Sequence, residues 1–254
     1  RERQLNWRFR GLTLWLEVEE FDQDISNAIQ DSAKIHGLQP IPRTHTTAIY
    51  GMDHLSVKEA ISKLHEFIKQ CPMWPMFDEP VGVIQDICFD GVNGEVMSMA
   101  WAELTLATNP AHEDALDTLY NLFYPEESSR PNRGPWKPHT SIVYDNPENT
   151  TMSLLSVMEC IMKYPTILSK KRRVEAISLW DTNGTMQEWK QSVCGIQMEL
   201  CKSGSAWKEW ISMHRLKLDT FFRGKMNWFW TRKVTTFVHI FCYASVNLLS
   251  KHSS

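Results

Sequence analysis

Seven short stretches of the chain have hydrophobic patterns that predict β-strands, from the alternation along 11–19 to the dense β-branched and apolar residues of 43–50. These stretches are 11–19, 43–50, 82–90, 95–108, 139–144, 173–180 and 186–196. Between them, apolar residues recur every three or four positions, which predicts helices at 21–36, 56–71, 111–123 and 151–163. The pattern therefore predicts an α+β protein over roughly the first 200 residues.

Local signals mark several ends of these elements. Ser56 followed by Glu59 has the spacing of a capping box at a helix start. Asn109 and Pro110 form a cap and first-turn pair for the third helix. The segments 91–94 and 181–184 are rich in Gly, Asn and Asp, and they predict two hairpin turns.

Two nearly identical hexamers divide the chain into two similar halves. HTTAIY occupies 45–50 and HTSIVY occupies 139–144, and each is predicted to be a strand followed by a helix and a hairpin. A histidine at the start of an apolar strand is costly to bury unless it is paired or used. The repeat therefore points to a function shared by the two strands, and the alternative is a pair of core histidines with similar neighbours.

Side chains two residues apart on a strand share a face, so His45 lies beside Thr47 and His139 beside Ser141. If the two strands are neighbours in space, two imidazoles and two hydroxyls converge. One imidazole can act as base while the other acts as acid, and hydroxyls can hold phosphate oxygens. This set of groups suits opening of a cyclic phosphate without a metal, although the sequence does not distinguish the base from the acid.

A histidine followed two residues later by Ser or Thr is by itself a weak signal, because this pattern also occurs at His54 and at His252. Those two copies lie at a predicted helix start and at the chain end, and we interpret both as incidental. Tyr50 and Tyr144 follow their histidines by five residues, an odd offset that predicts packing on the other strand face unless the strand twists or ends early. Ala48 is expected in the core together with Tyr50.

Trp136 and Lys137 precede the second hexamer on a predicted loop. They are candidate substrate-binding residues, for a base and a phosphate respectively. The alternative for Trp136 is a loop tryptophan that packs down on the protein.

The motifs His45-Thr46-Thr47 and His139-Thr140-Ser141 resemble those of the two-histidine phosphoesterases, and the chain is most similar to the plant and fungal cyclic phosphodiesterases. The resemblance covers about residues 8–198. It implies a bilobal, pseudo-two-fold arrangement of antiparallel sheets flanked by helices. It also implies catalytic His45 and His139, phosphate-binding Thr47 and Ser141, and hydrolysis of ADP-ribose 1″,2″-cyclic phosphate or nucleoside 2′,3′-cyclic phosphates.

Two other functions stay open. One is a nucleotide-binding module that has lost turnover, which the two intact motifs disfavour. The other is an enzyme that processes RNA ends carrying a 2′,3′-cyclic phosphate, which would need a basic groove. We expect no metal and no cofactor, a small nucleotide substrate and a monomer.

The tail differs in charge from the rest of the chain. From 202 onward nine Lys and Arg face two acids, so the tail carries +7 and the remainder −10 of a net charge of −3. We predict one phosphoesterase domain over 1–200 and a basic, aromatic-rich tail over 201–254, with a helix at 205–222 and an apolar segment at 234–249. That segment is short for a spanning helix, so weak membrane association is one alternative and a docked element the other. The unpaired spacing of the six cysteines predicts reduced thiols in a cytoplasmic protein.

Overall fold

The computed structural model describes residues 2–18, 23–92, 95–126 and 135–197. In these ranges the chain forms seven strands and four α-helices, so the predicted mixture of α and β elements is confirmed. The strands are β1 (Leu12–Val18), β2 (Thr46–Met52), β3 (Gly82–Val92), β4 (Glu95–Thr105), β5 (His139–Asp145), β6 (Val174–Asp181) and β7 (Lys190–Gln197). The helices are α1 (Gln23–His36), α2 (Val57–Gln70), α3 (Pro110–Phe123) and α4 (Leu154–Met162).

The helix starts follow from their capping side chains. The Ser56 hydroxyl accepts from the Glu59 N–H at 3.3 Å, and the Glu59 carboxylate accepts from the Ser56 N–H at 2.9 Å, as the capping-box spacing predicts. Asn109 caps α3 in the predicted way. Helix α4 begins later than predicted, because the Ser153 hydroxyl accepts from the Ser156 N–H at 3.1 Å and serves as its cap.

All seven strands belong to one antiparallel sheet in the order β3-β4-β5-β2-β1-β6-β7. The expected antiparallel pairing is therefore confirmed, and the strands form one continuous sheet where several sheets were expected. The reason is the central pairing of β2 with β5, which joins the two halves through the register pair Thr46–Thr140. The hairpins also cross over between the two halves of the chain. Hairpin β3–β4 follows β2 in sequence but lies beside β5, and hairpin β6–β7 follows β5 in sequence but lies beside β1.

Two hydrophobic cores lie under the two halves of this sheet. Leu14 and Leu16 of β1 belong to the core that contains α2 and α3. Ala102 and Leu104 of β4 belong to the core that contains α1 and α4. Because side chains alternate along a strand, the intervening residues of β1 and β4 point to the opposite face of the sheet. That face carries the candidate site.

Several predictions on the tail fall on 201–254, which lies outside the described residues. They concern the second domain, the helix at 205–222, the apolar segment at 234–249 and its contact with a membrane. No helix within the described part of the chain is long and apolar enough to cross a membrane. Three cysteines in the described ranges, Cys71, Cys88 and Cys160, carry free thiols.

Candidate active site

The two histidine-bearing strands are neighbours at the centre of the sheet. Strand β2 pairs antiparallel with β5, and Thr46 lies opposite Thr140. Both threonines are buried, and their Oγ1 atoms are 3.2 Å apart in a hydrogen bond. The condition for convergence of the two motifs, that their strands lie together, is met.

This register sets the neighbours of the threonine pair. In an antiparallel ladder the adjacent positions place His45 opposite Ser141 and Thr47 opposite His139. All four side chains point away from the threonine face, because successive residues alternate. Each imidazole therefore lies across from the hydroxyl residue of the other motif, and the four predicted groups share one face of the sheet.

Both imidazoles are held in the same way by their own strand. The Nδ1 atom of His45 donates to the Arg43 carbonyl at 2.7 Å, and Nδ1 of His139 donates to the Lys137 carbonyl at 3.0 Å. A carbonyl oxygen only accepts, so in each ring the Nδ1 atom carries the hydrogen. Each neutral imidazole then has its lone pair on Nε2, the atom available for proton transfer.

His45 lies in an apolar, aromatic environment. It is 5% exposed, and its ring stacks on the Trp15 indole with centroids 3.6 Å apart and an angle of 10° between the planes. Trp15 in turn stacks on Trp180 at 4.3 Å. Burial, and to a smaller extent the nearby His139, lower the pKa of His45 to about 3, against the opposing effect of the Arg43 carbonyl. His45 is therefore neutral at physiological pH.

His139 has a different environment. Its side chain is 38% exposed, and Nε2 lies 3.5 Å from the Glu103 carboxylate, whose side chain is 15% exposed. Burial raises the pKa of Glu103, and a charged His139 lowers it. Glu103 reaches this position because it lies opposite Ser141 on the neighbouring strand β4. The sequence carries no local signal for Glu103, since only the pairing of β4 with β5 brings it to the site.

A bulge in β5 also brings Tyr144 to the site. Ser141 lies opposite Glu103 and Val143 opposite Ala102, so Ile142 is an extra residue in the ladder. The extra residue resets the alternation, and the Tyr144 hydroxyl donates to Ser141 Oγ at 2.7 Å. Burial raises the pKa of Tyr144 to about 12, so this hydroxyl keeps its proton. The prediction that Tyr144 only packs on the other face is wrong for this reason.

The corresponding bulge in β2 affects Tyr50. Thr47 lies opposite Trp15 and Ile49 opposite Leu14, which leaves Ala48 as the extra residue. Ala48 is in the core as predicted, but Tyr50 is 47% exposed, and its hydroxyl accepts from the Arg10 N–H at 3.0 Å. The prediction that Tyr50 lies in the core is therefore wrong.

The two loop candidates before β5 have unequal surroundings. Trp136 is half-buried, packs against Trp74 and Phe77, and donates its indole N–H to the Thr47 carbonyl at 3.2 Å. These contacts match the packing alternative. The Lys137 side chain is exposed, while its carbonyl holds His139. Contact of either side chain with substrate stays a prediction.

The two other H-x-S copies differ from the candidate site. Ser56 is the N-cap of α2, and the exposed His54 has its Nε2 atom 3.0 Å from the Phe123 carbonyl. His54 lies in no strand, in agreement with the interpretation of this copy as incidental. His252 lies outside the described residues. Among the residues that the structure describes, no group of three or more His, Cys, Asp or Glu side chains is arranged to hold a metal ion.

Comparison with known proteins adds no assignment, since no protein-family model matches the chain and no curated protein matches it.

Proposed function

We propose that this chain hydrolyses the cyclic phosphate of a small nucleotide to a phosphomonoester. The substrate is ADP-ribose 1″,2″-cyclic phosphate or a nucleoside 2′,3′-cyclic phosphate. The observation that carries the proposal is the matched pair of imidazoles. Each holds its Nδ1 hydrogen on the carbonyl two residues upstream and keeps Nε2 for proton transfer. Each also lies across from the hydroxyl residue of the other motif.

These groups supply the parts that in-line opening of a cyclic phosphate requires. One imidazole removes a proton from the attacking water, and the other protonates the leaving ribose oxygen. Thr47 and Ser141 donate hydrogen bonds to the non-bridging oxygens as charge builds there. Proton transfer by a positioned side chain contributes about 10²–10⁴-fold to rate, so two such groups account for a large acceleration.

We also propose that the fold is that of a two-histidine phosphoesterase. The arrangement of a two-histidine phosphoesterase, with two related lobes and one motif in each, is supported by the central pairing of β2 with β5. It is also supported by the bulges at Ala48 and Ile142, since each occurs three residues after its histidine.

A panel assay tests the function. The substrates are nucleoside 2′,3′-cyclic monophosphates, ADP-ribose 1″,2″-cyclic phosphate and RNA ending in a cyclic phosphate, with product isomers separated. We expect turnover of a small cyclic phosphate, and a loss of about 10²-fold or more in kcat in either His45→Ala or His139→Ala. His54→Ala is the matched control, because it removes the histidine of an H-x-S copy outside the site, and it should retain full activity.

The other outcomes identify the alternatives. Full activity in both histidine variants would contradict the two-histidine mechanism. Tight binding of a nucleoside monophosphate without hydrolysis of any member of the panel would favour a binding module. Preference for the RNA substrate would favour RNA end processing. Because side chains supply the base, the acid and the oxyanion contacts, we expect turnover to persist in the presence of a chelator.

A further inference from the structure

Glu103 is a carboxylate that faces the candidate site from strand β4. Its Oε2 atom lies 3.5 Å from Nε2 of His139, the atom that the Nδ1 hydrogen bond leaves for chemistry. It lies opposite Ser141 in the ladder, so it shares the face of the sheet that carries the predicted groups. An anion at this distance favours a proton on Nε2.

The other imidazole has no such anion at the equivalent position. Trp15 lies opposite Thr47 on β1 as Glu103 lies opposite Ser141 on β4, and the indole stacks on His45 at 3.6 Å. Burial beneath the indole disfavours a charged imidazole, whereas a carboxylate favours one. The two rings therefore have opposite preferences for the proton.

From this contrast we infer that Glu103 is a positioning residue that retains on His139 the proton destined for the leaving oxygen, which makes His45 the base. The inference rests on the proposed function and deepens it. Glu103 acts through the imidazole, and it need not touch the substrate.

The charges around the two rings agree with this division. Burial, the largest cause, lowers the pKa of His45 to about 3, and His139 lowers it as well. Glu103 has its pKa raised by burial and lowered by His139. Tyr144 on the same strand interacts with Glu103, with Tyr50 of β2 and with Cys88 of β3. Tyr144 stays neutral, so it adds no charge beside the Glu103 carboxylate.

The proton balance of the step is complete with these groups. His45 Nε2 takes a proton from water as the water oxygen bonds to phosphorus. The bond from phosphorus to the ribose oxygen breaks, and His139 Nε2 gives its proton to that oxygen. The product is a phosphomonoester with a free hydroxyl. Proton exchange with solvent then restores both imidazoles.

The pH dependence of kcat/KM tests the inference in wild type and in Glu103→Gln. The alkaline limb reports loss of the acid's proton, and removal of a carboxylate this close should move that limb to lower pH by about one to three units. The acidic limb should stay in place, because His45 is unchanged. The matched control is Glu66→Gln, which removes an exposed carboxylate on α2 that pairs with Lys69 at 3.8 Å, and its profile should equal that of wild type.

A substrate with a better leaving group shows whether Glu103 assists the imidazole that acts as acid or the imidazole that acts as base. Catechol cyclic phosphate releases a phenol, which needs less protonation than a ribose hydroxyl. The activity lost in Glu103→Gln should therefore be smaller for the catechol ester than for a nucleoside 2′,3′-cyclic phosphate. An equal loss on both substrates, or an alkaline limb that does not move, would overturn the inference.

An NMR titration of the labelled imidazoles makes the test independent of turnover. His139 should lose its proton at lower pH in Glu103→Gln than in wild type, and this shift is measurable even if no cyclic phosphate is hydrolysed. A shift without hydrolysis of any member of the panel would retain the role of the carboxylate in proton retention and overturn the proposed function. Hydrolysis without a shift would retain the proposed function and overturn the role of the Glu103 carboxylate in proton retention.

Discussion

Trp15 and Glu103 occupy equivalent positions in the two halves of the sheet. Trp15 on β1 lies opposite the hydroxyl residue of the first motif, and Glu103 on β4 lies opposite that of the second. The indole stacks on the first imidazole, and the carboxylate faces the second at 3.5 Å. Two equivalent strand positions thus give two matched imidazoles opposite environments, and a site that looks symmetric in sequence becomes asymmetric in its electrostatics.

Replacing Trp15 tests how far the indole keeps His45 neutral. In Trp15→Leu the smaller side chain lets water reach the imidazole, so the burial that lowers the pKa of His45 is relieved and the pKa should rise from about 3 toward its ordinary value. A base works only when unprotonated, and therefore the acidic limb of kcat/KM should move to higher pH. Trp15→Phe keeps a ring in contact and should shift the limb less. An acidic limb at the same pH in both variants as in wild type would contradict a role for the stacked ring.

The depressed pKa of His45 also predicts how stability depends on pH. The unfolded chain binds a proton at His45 below its ordinary pKa of 6.5, whereas the folded protein does so only near 3. The contribution of neutral His45 to the free energy of unfolding is therefore complete above pH 6.5. It should be lost as the pH falls, by about 1.4 kcal/mol per pH unit at most. His45→Gln cannot take up this proton.

Chemical denaturation at pH 7, 6 and 5 measures this effect. The free energy of unfolding should fall less steeply with acid in His45→Gln than in wild type. Burial also lowers the pKa values of His36 and His112, but both residues remain in the variant, so the comparison isolates His45. Parallel curves for wild type and His45→Gln would refute the prediction.

Much of the fold could be predicted because its determinants are local. Hydrophobic patterning identified the strands, and the caps Ser56 and Asn109 set two helix starts. The repeated hexamers identified His45 and His139 without any knowledge of pairing. The crossing of the hairpins could not be predicted, since it depends on contacts between strands far apart in sequence.

The partners of the two imidazoles depend on those same distant contacts. Trp15 and Glu103 lie on strands that carry no motif, and only the sheet order makes them neighbours of the histidines. Tyr144 was misplaced because strict alternation fails at a bulge, and a bulge depends on the partner strand. The spacing itself offered a clue, because Tyr50 and Tyr144 both follow their histidines by five residues.

Tyr144→Phe tests the contact between this tyrosine and Ser141. The Tyr144 hydroxyl donates to Ser141 Oγ at 2.7 Å, which leaves the serine hydrogen free to point at a phosphate oxygen. Loss of one such bond is worth about 0.5–1.5 kcal/mol, so kcat should fall about 2- to 12-fold with little change in KM. Tyr50→Phe is the matched control, because the Tyr50 hydroxyl accepts from the Arg10 N–H and not from Ser141. Equal effects of the two variants would argue against a role for the Ser141 contact.

The hydrogen bond between Thr46 and Thr140 links the two motif strands at their register pair. Their Oγ1 atoms are 3.2 Å apart and buried. In Thr46→Val or Thr140→Val one buried hydroxyl loses its partner, which should cost about 1–3 kcal/mol of unfolding free energy. The double variant replaces both hydroxyls by groups of the same shape and should lose less than the sum of the single losses. Thermal and urea unfolding of the four proteins completes this cycle, and strictly additive losses would mean that the two hydroxyls are not coupled.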